Sequence, residues 1–371
     1  MSGSGESLGV LFINFGEPSE ATRDEVVPFL ERIFLQNANL EDHGPEEARA
    51  RARALAERRA PGLIEEYESI GGSPLNAQAQ AQAAALQEEL DERGWNATVY
   101  PVFQFTEPTI SDGLQAARTD GVQRLLILPV YPICGQSTTV EALRAVRSGL
   151  ERMEWDVPSV LISGWHHHPA YRRMRADHLR SFVEARDLDL QDPDTLLYFS
   201  VHGTPVKYLD EGNRYDRYVE ESCRELAGAL GTDRYGVGFQ NHTNRGIAWT
   251  QPDNEDLIEA RPEHRLVVVP LAFMHEQSET LAELDLELRA FAEDRGKEFH
   301  RAPVPHDAPA FPRLLAAVLH EARSAAEGRE SILAPCRCSD TPTTFCTNGA
   351  RDLPPSPYSG VTSADSAGTV T

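Results

Sequence analysis

Apolar runs of strand length recur along the chain: Leu8–Asn14, Ala97–Val102, Arg124–Val130, Pro158–Ser163, Leu197–His202, Tyr235–Gln240 and Leu266–Phe273, with a shorter one near Phe299. Most are apolar on both faces, the mark of strands covered by helices on each side. Between them the period lengthens. Arg23–Phe34 places Val26, Val27, Leu30, Ile33 and Phe34 on one face, and helical spacing returns over Ala77–Arg93, after Val140, and over Ala170–Glu184, Tyr215–Leu230, Glu279–Ala292 and Phe311–Ala326. Alternation of this kind predicts an α/β fold with parallel sheets. A length of 371 residues suggests two domains, each with about four strands. Glu46–Arg59, an Ala/Arg/Glu run, reads as a solvated helix. From Thr347 the chain is rich in Ser, Thr, Pro and Gly, and disorder is expected there.

Charge and composition narrow the function. The net charge is -23 and only Lys207 and Lys297 are lysines, so no basic face is available for nucleic acid. No apolar run has the length of a membrane span, and the start of the chain lacks the basic and apolar regions of a secretory signal. A cytoplasmic protein is expected, with membrane association at most weak and a monomer or homodimer as its form.

Two stretches carry candidate chemistry. Ser200-Val201-His202-Gly203-Thr204-Pro205 ends an apolar run on a histidine, which places His202 at the carboxyl end of a strand, where open sheets hold ligands. Its imidazole titrates near neutrality and suits proton transfer. Glu279, Glu283 and Glu287 recur every four residues and would share one face of a regular helix. Such a row could conduct a cation inward, and Glu276 could extend it; a plain solvated face is the competing explanation. Ser137, Thr138 and Thr139 either bind a carboxylate or cap the next helix. Of five cysteines, Cys336, Cys338 and Cys346 crowd together. A closed thiolate site needs a fourth, from Cys134 or Cys223, and Cys223 falls on the apolar face of its helix.

With these motifs the chain resembles the ferrochelatases. The resemblance runs from about Gly9 to Leu319 and rests above all on Phe199–Pro205 (FSVHGTP) and the E-T-L-x-E-x-D run Glu279–Asp285. The sequence departs from the family at Gln104, Thr106, Cys134, Asn241, His242 and the segment His275–Gln277. The resemblance implies two Rossmann-like, chelatase-type domains, each a four-stranded parallel sheet flanked by helices, with the active-site cleft between them. The expected division is 7–155 and 156–308, with a C-terminal helix at 309–327 packing back on the first domain, a cysteine-bearing extension at 328–349 and a disordered tail at 350–371. It further implies insertion of ferrous iron into a porphyrin, protoporphyrin IX or coproporphyrin III, in haem biosynthesis. His202, Glu279 and Glu283 would then be catalytic, with His202 and Glu279 meeting the substrate Fe2+. Phe15, Ser137, Thr138 and Gln240 would contact the porphyrin. The family's helix at Glu279 is distorted toward π geometry. Some members hold a [2Fe–2S] cluster, for which Cys134, Cys336, Cys338 and Cys346 are the candidates, with zinc or free thiols as the other outcome. A haem-binding protein without catalysis, or a chelatase for another metal, are the rival functions.

Overall fold

The computed structural model describes residues 5–40, 44–241, 247–341, 343–349, 351–354 and 356. His242 and most of the expected disordered tail lie outside the described residues. Two sheets organise the chain. The first is built on four parallel strands in the order β2 (Ala97–Phe103), β1 (Leu8–Asn14), β3 (Arg124–Pro129) and β4 (Ser159–Ile162). The second has the order β6 (Tyr235–Gln240), β5 (Thr195–His202), β7 (Arg265–Pro270) and β8 (Glu298–Arg301), also parallel throughout. Two short strands from the cysteine segment extend the first sheet. β10 (Thr344–Cys346) runs parallel to β4, and β9 (Ala334–Pro335) pairs antiparallel with β10.

Burial on both faces explains the apolar strands. Every residue of β1 is buried. Helices Leu75–Glu92 and Phe311–Ala326 cover one face of the first sheet, where Leu86, Leu90, Phe311, Leu314 and Leu315 meet Val10, Phe12, Leu126 and Leu128. Helices Ile110–Thr119 and Glu141–Arg152 cover the other. The second sheet lies between helices Pro169–Glu184 and Tyr215–Ala229 on one face and Asn254–Ala260 with the segment 283–293 on the other.

Several expectations are corrected. A domain break at 155/156 fails because Ser159–Ile162 pairs with β3, so the first sheet continues to Ile162. The charged run at Glu46–Arg59 is part of one helix, Pro45–Ile70, that continues through Pro61. It is not solvated all round: Ala52, Ala56, Ala60, Leu63 and Tyr67 are buried against Val26, Val27, Phe29 and Leu30 of helix Arg23–Gln36. Alanine every four residues lets two backbones approach closely without large side chains. The expected disorder does not reach Arg351, which pairs with Glu221, or Ser356, whose hydroxyl donates to Asp216 at 2.8 Å.

Leu314 is fully buried between helix Phe311–Ala326 and the first sheet. Leu314→Ala should lower unfolding stability by about 2–5 kcal/mol in a denaturant titration, as loss of a core leucine does. Leu35→Ala, at a side chain 43% exposed, should stay within about 0.5 kcal/mol of wild type. Equal effects at both would mean the C-terminal helix is not part of this core.

Candidate active site

The four-stranded parallel part of each sheet reverses its strand order once: between β1 and β3 in the first, between β5 and β7 in the second. The carboxyl ends of the strands beside such a reversal leave a crevice, because the following segments diverge to opposite sides. Phe15 and Glu17 follow β1, the segment with Ser137 and Thr138 follows β3, His202 ends β5, and Glu279 lies beyond β7. The topology thus puts the chemically active residue types on the two crevices.

His202 and Glu279 meet. The imidazole Nε2 stands 3.2 Å from Glu279 Oε1, and Nδ1 donates to the Gly203 carbonyl at 2.6 Å. A side chain at Gly203 would collide with Asn241 and come within 2.9 Å of the Gln240 carbonyl, so only glycine lets the chain turn there. The His202 side chain keeps 35% of its surface open to the cleft. Burial alone would lower its pKa. The charge and hydrogen bond of Glu279, the Gly203 carbonyl and the charge of Glu283 outweigh that and hold it at about 9. An isolated imidazole titrates near neutrality; the pairing instead favours an imidazolium–carboxylate pair at rest.

The carboxylate row does not sit on a regular helix. A short helix, Ser278–Leu281, passes into π geometry over Glu283–Leu288 and returns to α over Arg289–Glu293. The Glu287 N–H reaches back to the Ala282 carbonyl at 3.0 Å. Gln277 Nε2 donates to Glu279 at 2.8 Å, and Gln240 Nε2 donates to Glu283 at 3.0 Å and to the Glu279 carbonyl at 2.9 Å. Gln240 is itself oriented by Ser200 and Asn254. Glu283 is half-buried and Glu287 exposed, so the row runs outward. Glu276 does not extend it: Arg301 binds its carboxylate at 2.8 Å and the Val304 N–H donates to it at 2.8 Å.

One acid was missed. Glu17 is buried; its carboxylate accepts from Ser73, from the Ser278 hydroxyl at 2.5 Å and from the Tyr67 hydroxyl at 3.1 Å. Burial pushes its pKa up against the hydrogen bonds of Ser278 and Ser73. The signal was an acid in a Gly-x-Pro turn directly after a buried strand. Phe15 packs on Phe105 with ring centres 4.6 Å apart. The Ser137 hydroxyl donates to Asn37 at 3.0 Å, and Thr138 reaches only the Gly135 carbonyl at 3.5 Å. Neither caps the following helix, so the capping explanation fails; these residues open on a π turn, Gln136–Val140.

Cys223 is buried in the core of the second sheet. Cys338 and Cys346 neighbour Cys336 and draw its pKa down, and Cys336 in turn acts on Cys134, whose thiol burial pushes up to about 12. The Tyr218 hydroxyl lies 3.9 Å from Cys338 Sγ.

Paired parallel sheets with a histidine–carboxylate pair at the switch point and an acidic π segment leading away define a chelatase-type enzyme. The chain belongs to the ferrochelatase family, whose model matches residues 7–323. It is 32% identical over 320 residues to the ferrochelatase of Picosynechococcus sp., covering 83% of this chain and 81% of that one. To the ferrochelatase of Nostoc sp. it is 31% identical over 329 residues, covering 85% and 82%. Among solved structures, SirB from Bacillus subtilis aligns with a TM-score of 0.48 at 10% identity, over 87% of this chain and 98% of that one.

The pair makes a signed prediction. A folded-state pKa of about 9 exceeds the unfolded value of about 6.5. The stabilisation is therefore complete below about pH 6.5 and is lost as pH rises through 9. The stability gap between wild type and Glu279→Gln should be larger at pH 6 than above pH 9, and the His202 imidazole should titrate lower in the variant by NMR. A gap that widens with pH would contradict the pairing.

Proposed function

We propose that this chain inserts ferrous iron into a porphyrin, with the His202–Glu279 pair as its proton-handling centre. Metallation exchanges two pyrrole protons for one divalent cation. The observation that carries the reading is the 3.2 Å contact between His202 and Glu279 at the head of the π segment. A cation arriving along Glu287 and Glu283 competes with the imidazolium for Glu279. Its charge drives the proton off His202, and the neutral imidazole then accepts a pyrrole proton. Phe15 offers the porphyrin an apolar face and has no atom to ligate iron. Ser137 and Thr138, beside a helix start, suit a propionate, and Gln240 holds Glu283 in line. A protein that only carried haem would have no use for the acidic row. No helix among the described residues is long and apolar enough to cross a membrane. We assign the work to the cytoplasm, where thiols stay reduced.

Anaerobic assays with Fe2+ and protoporphyrin IX or coproporphyrin III test this through the change in porphyrin absorbance. His202→Ala should abolish turnover, and Glu279→Gln should cost about 10²–10⁴-fold. Glu287→Gln should mainly raise KM for iron. Near-normal rates in both His202→Ala and Glu279→Gln would dispose of the proposal.

We further infer that Cys134, Cys336, Cys338 and Cys346 hold a [2Fe–2S] cluster. In support, Cys338 and Cys346 lower the pKa of Cys336 and Cys336 raises that of Cys134, so the four thiols act on one another, and soft thiolates suit such a cluster. When bound, it adds a redox-active group and ties the cysteine segment to the body of the protein. Anaerobically purified protein should be brown, with about two irons per chain. Cys134→Ser should bleach it and Cys223→Ser should not. Colourless protein with stoichiometric zinc would replace the iron–sulfur assignment.

A further inference from the structure

The loop between β4 and helix Pro169–Glu184 carries three consecutive histidines, His166, His167 and His168, that the catalytic cleft does not use. His166 is 1% exposed and the His167 side chain 8%. The tautomer of His166 follows from its partner: Nδ1 faces the Pro132 carbonyl at 3.2 Å, and a carbonyl only accepts, so the proton is on Nδ1 and the lone pair on Nε2. His167 Nε2 faces both the guanidinium of Arg351, which only donates, and the carboxylate of Glu221, which only accepts, so a metal ion arriving there displaces the guanidinium and any proton on this nitrogen. His167 Nδ1–H then donates to Glu225 Oε2 at 3.1 Å. Glu221, one turn earlier on helix Tyr215–Ala229, sets its Oε2 3.1 Å from His167 Nε2. His166, His167 and Glu221 each present a ligand-type atom within 4.8 Å of the others.

Imidazoles whose Nδ1–H is tied to a carbonyl and a carboxylate, with Nε2 turned toward a shared point, have the arrangement that orients histidines on metals. A cation is already drawn there: Arg351 bonds His167 and both oxygens of Glu221. It does not satisfy the group, because His166 Nε2 is buried with no hydrogen-bond partner among the described residues. A buried acceptor left unpaired costs stability, and native proteins seldom tolerate one without a reason. A metal ion would engage all three acceptors where the guanidinium engages two.

We propose that His166, His167 and Glu221 form a site for a divalent transition metal, separate from the catalytic cleft and from the cysteine group, and that Arg351 competes with the metal for it. Two imidazoles and one carboxylate favour borderline ions such as Zn2+ or Co2+ over Ca2+ or Mg2+. The thiols stand apart but near: the His166 and Tyr218 rings are 5.3 Å apart, and Tyr218 reaches Cys338. The metal ligates without sulfur, and its binding frees the residues around Arg351 from the helix bearing Glu221.

Cobalt titration of the full chain, as purified anaerobically with its cysteines loaded, tests the proposal. A His202→Ala, Glu279→Gln, Glu283→Gln, Glu287→Gln background removes the cleft's ligands. Co2+ should produce visible ligand-field bands with no added thiolate charge-transfer band. Glu221→Gln should weaken this binding by at least about tenfold, the scale of a lost metal-site interaction. Arg351→Met should tighten it, because the competitor is gone; this residue is exposed, so the variant keeps the fold. With cleft residues intact, both variants should metallate porphyrin within twofold of wild type. No ligand-field bands, bands unaffected by Glu221→Gln, or an Arg351→Met chain with unchanged or weaker affinity would each overturn the site.

Discussion

Carboxylates that leave water must be met by donors, and this requirement shapes the meeting of the two sheets. Glu279 is met by His202 and Gln277, Glu283 by Gln240, and Glu17 by two serines and a tyrosine. Glu17 belongs to the first half of the chain and Ser278 to the second, so one buried acid joins them beside the His202–Glu279 pair. The same segment is gripped again from helix Leu75–Glu92. Gln82 donates to the Met274 carbonyl at 3.0 Å and to the His306 carbonyl at 2.9 Å, and Gln78 accepts from the Glu276 N–H at 2.9 Å. The position of Glu279 is thus fixed by side chains that lie about two hundred residues away in sequence.

Regular sheet and irregular helix divide the work. The strands end in a fixed register, with His202 opposite Gln240 and Ser200 opposite Pro270. Glu283 and Glu287 lie where the helix widens to π geometry, which inserts a residue and turns side chains away from their ordinary phase. Leu284 and Leu288 remain buried beneath it, so the distortion is anchored by packing. Arg301 holds Asp285 and Glu276 from below, leaving these two acids structural while their neighbours face the cleft.

The strands and the pair His202–Glu279 were legible because their signals are local: an apolar run with a histidine at its end, and a carboxylate spacing. What escaped depended on contacts distant in sequence. The Ala52/Ala56/Ala60 face looked solvated because alanine gives almost no periodic signal, yet small residues are what a close helix pair requires. Ser159–Ile162 looked like the opening of a new domain after Trp155–Pro158, and only its pairing with β3 assigns it to the first sheet. The charge state of His202 could not be read from its own type. It is set by Glu279, seventy-seven positions away: each residue had its own local signal, but the contact between them had none.

The cysteine segment has a second role in the first sheet. Its strand β10 lies along β4, which would otherwise end the sheet with unpaired backbone groups. An uncovered strand of Ser159–Ile162, flanked by Val157 and the apolar core, is a template for pairing with another molecule. Whatever the thiols bind therefore bears on solubility as well as chemistry. A chain that lost its hold on this segment would present an open sheet edge, and its first failure would be self-association before the cleft itself came apart.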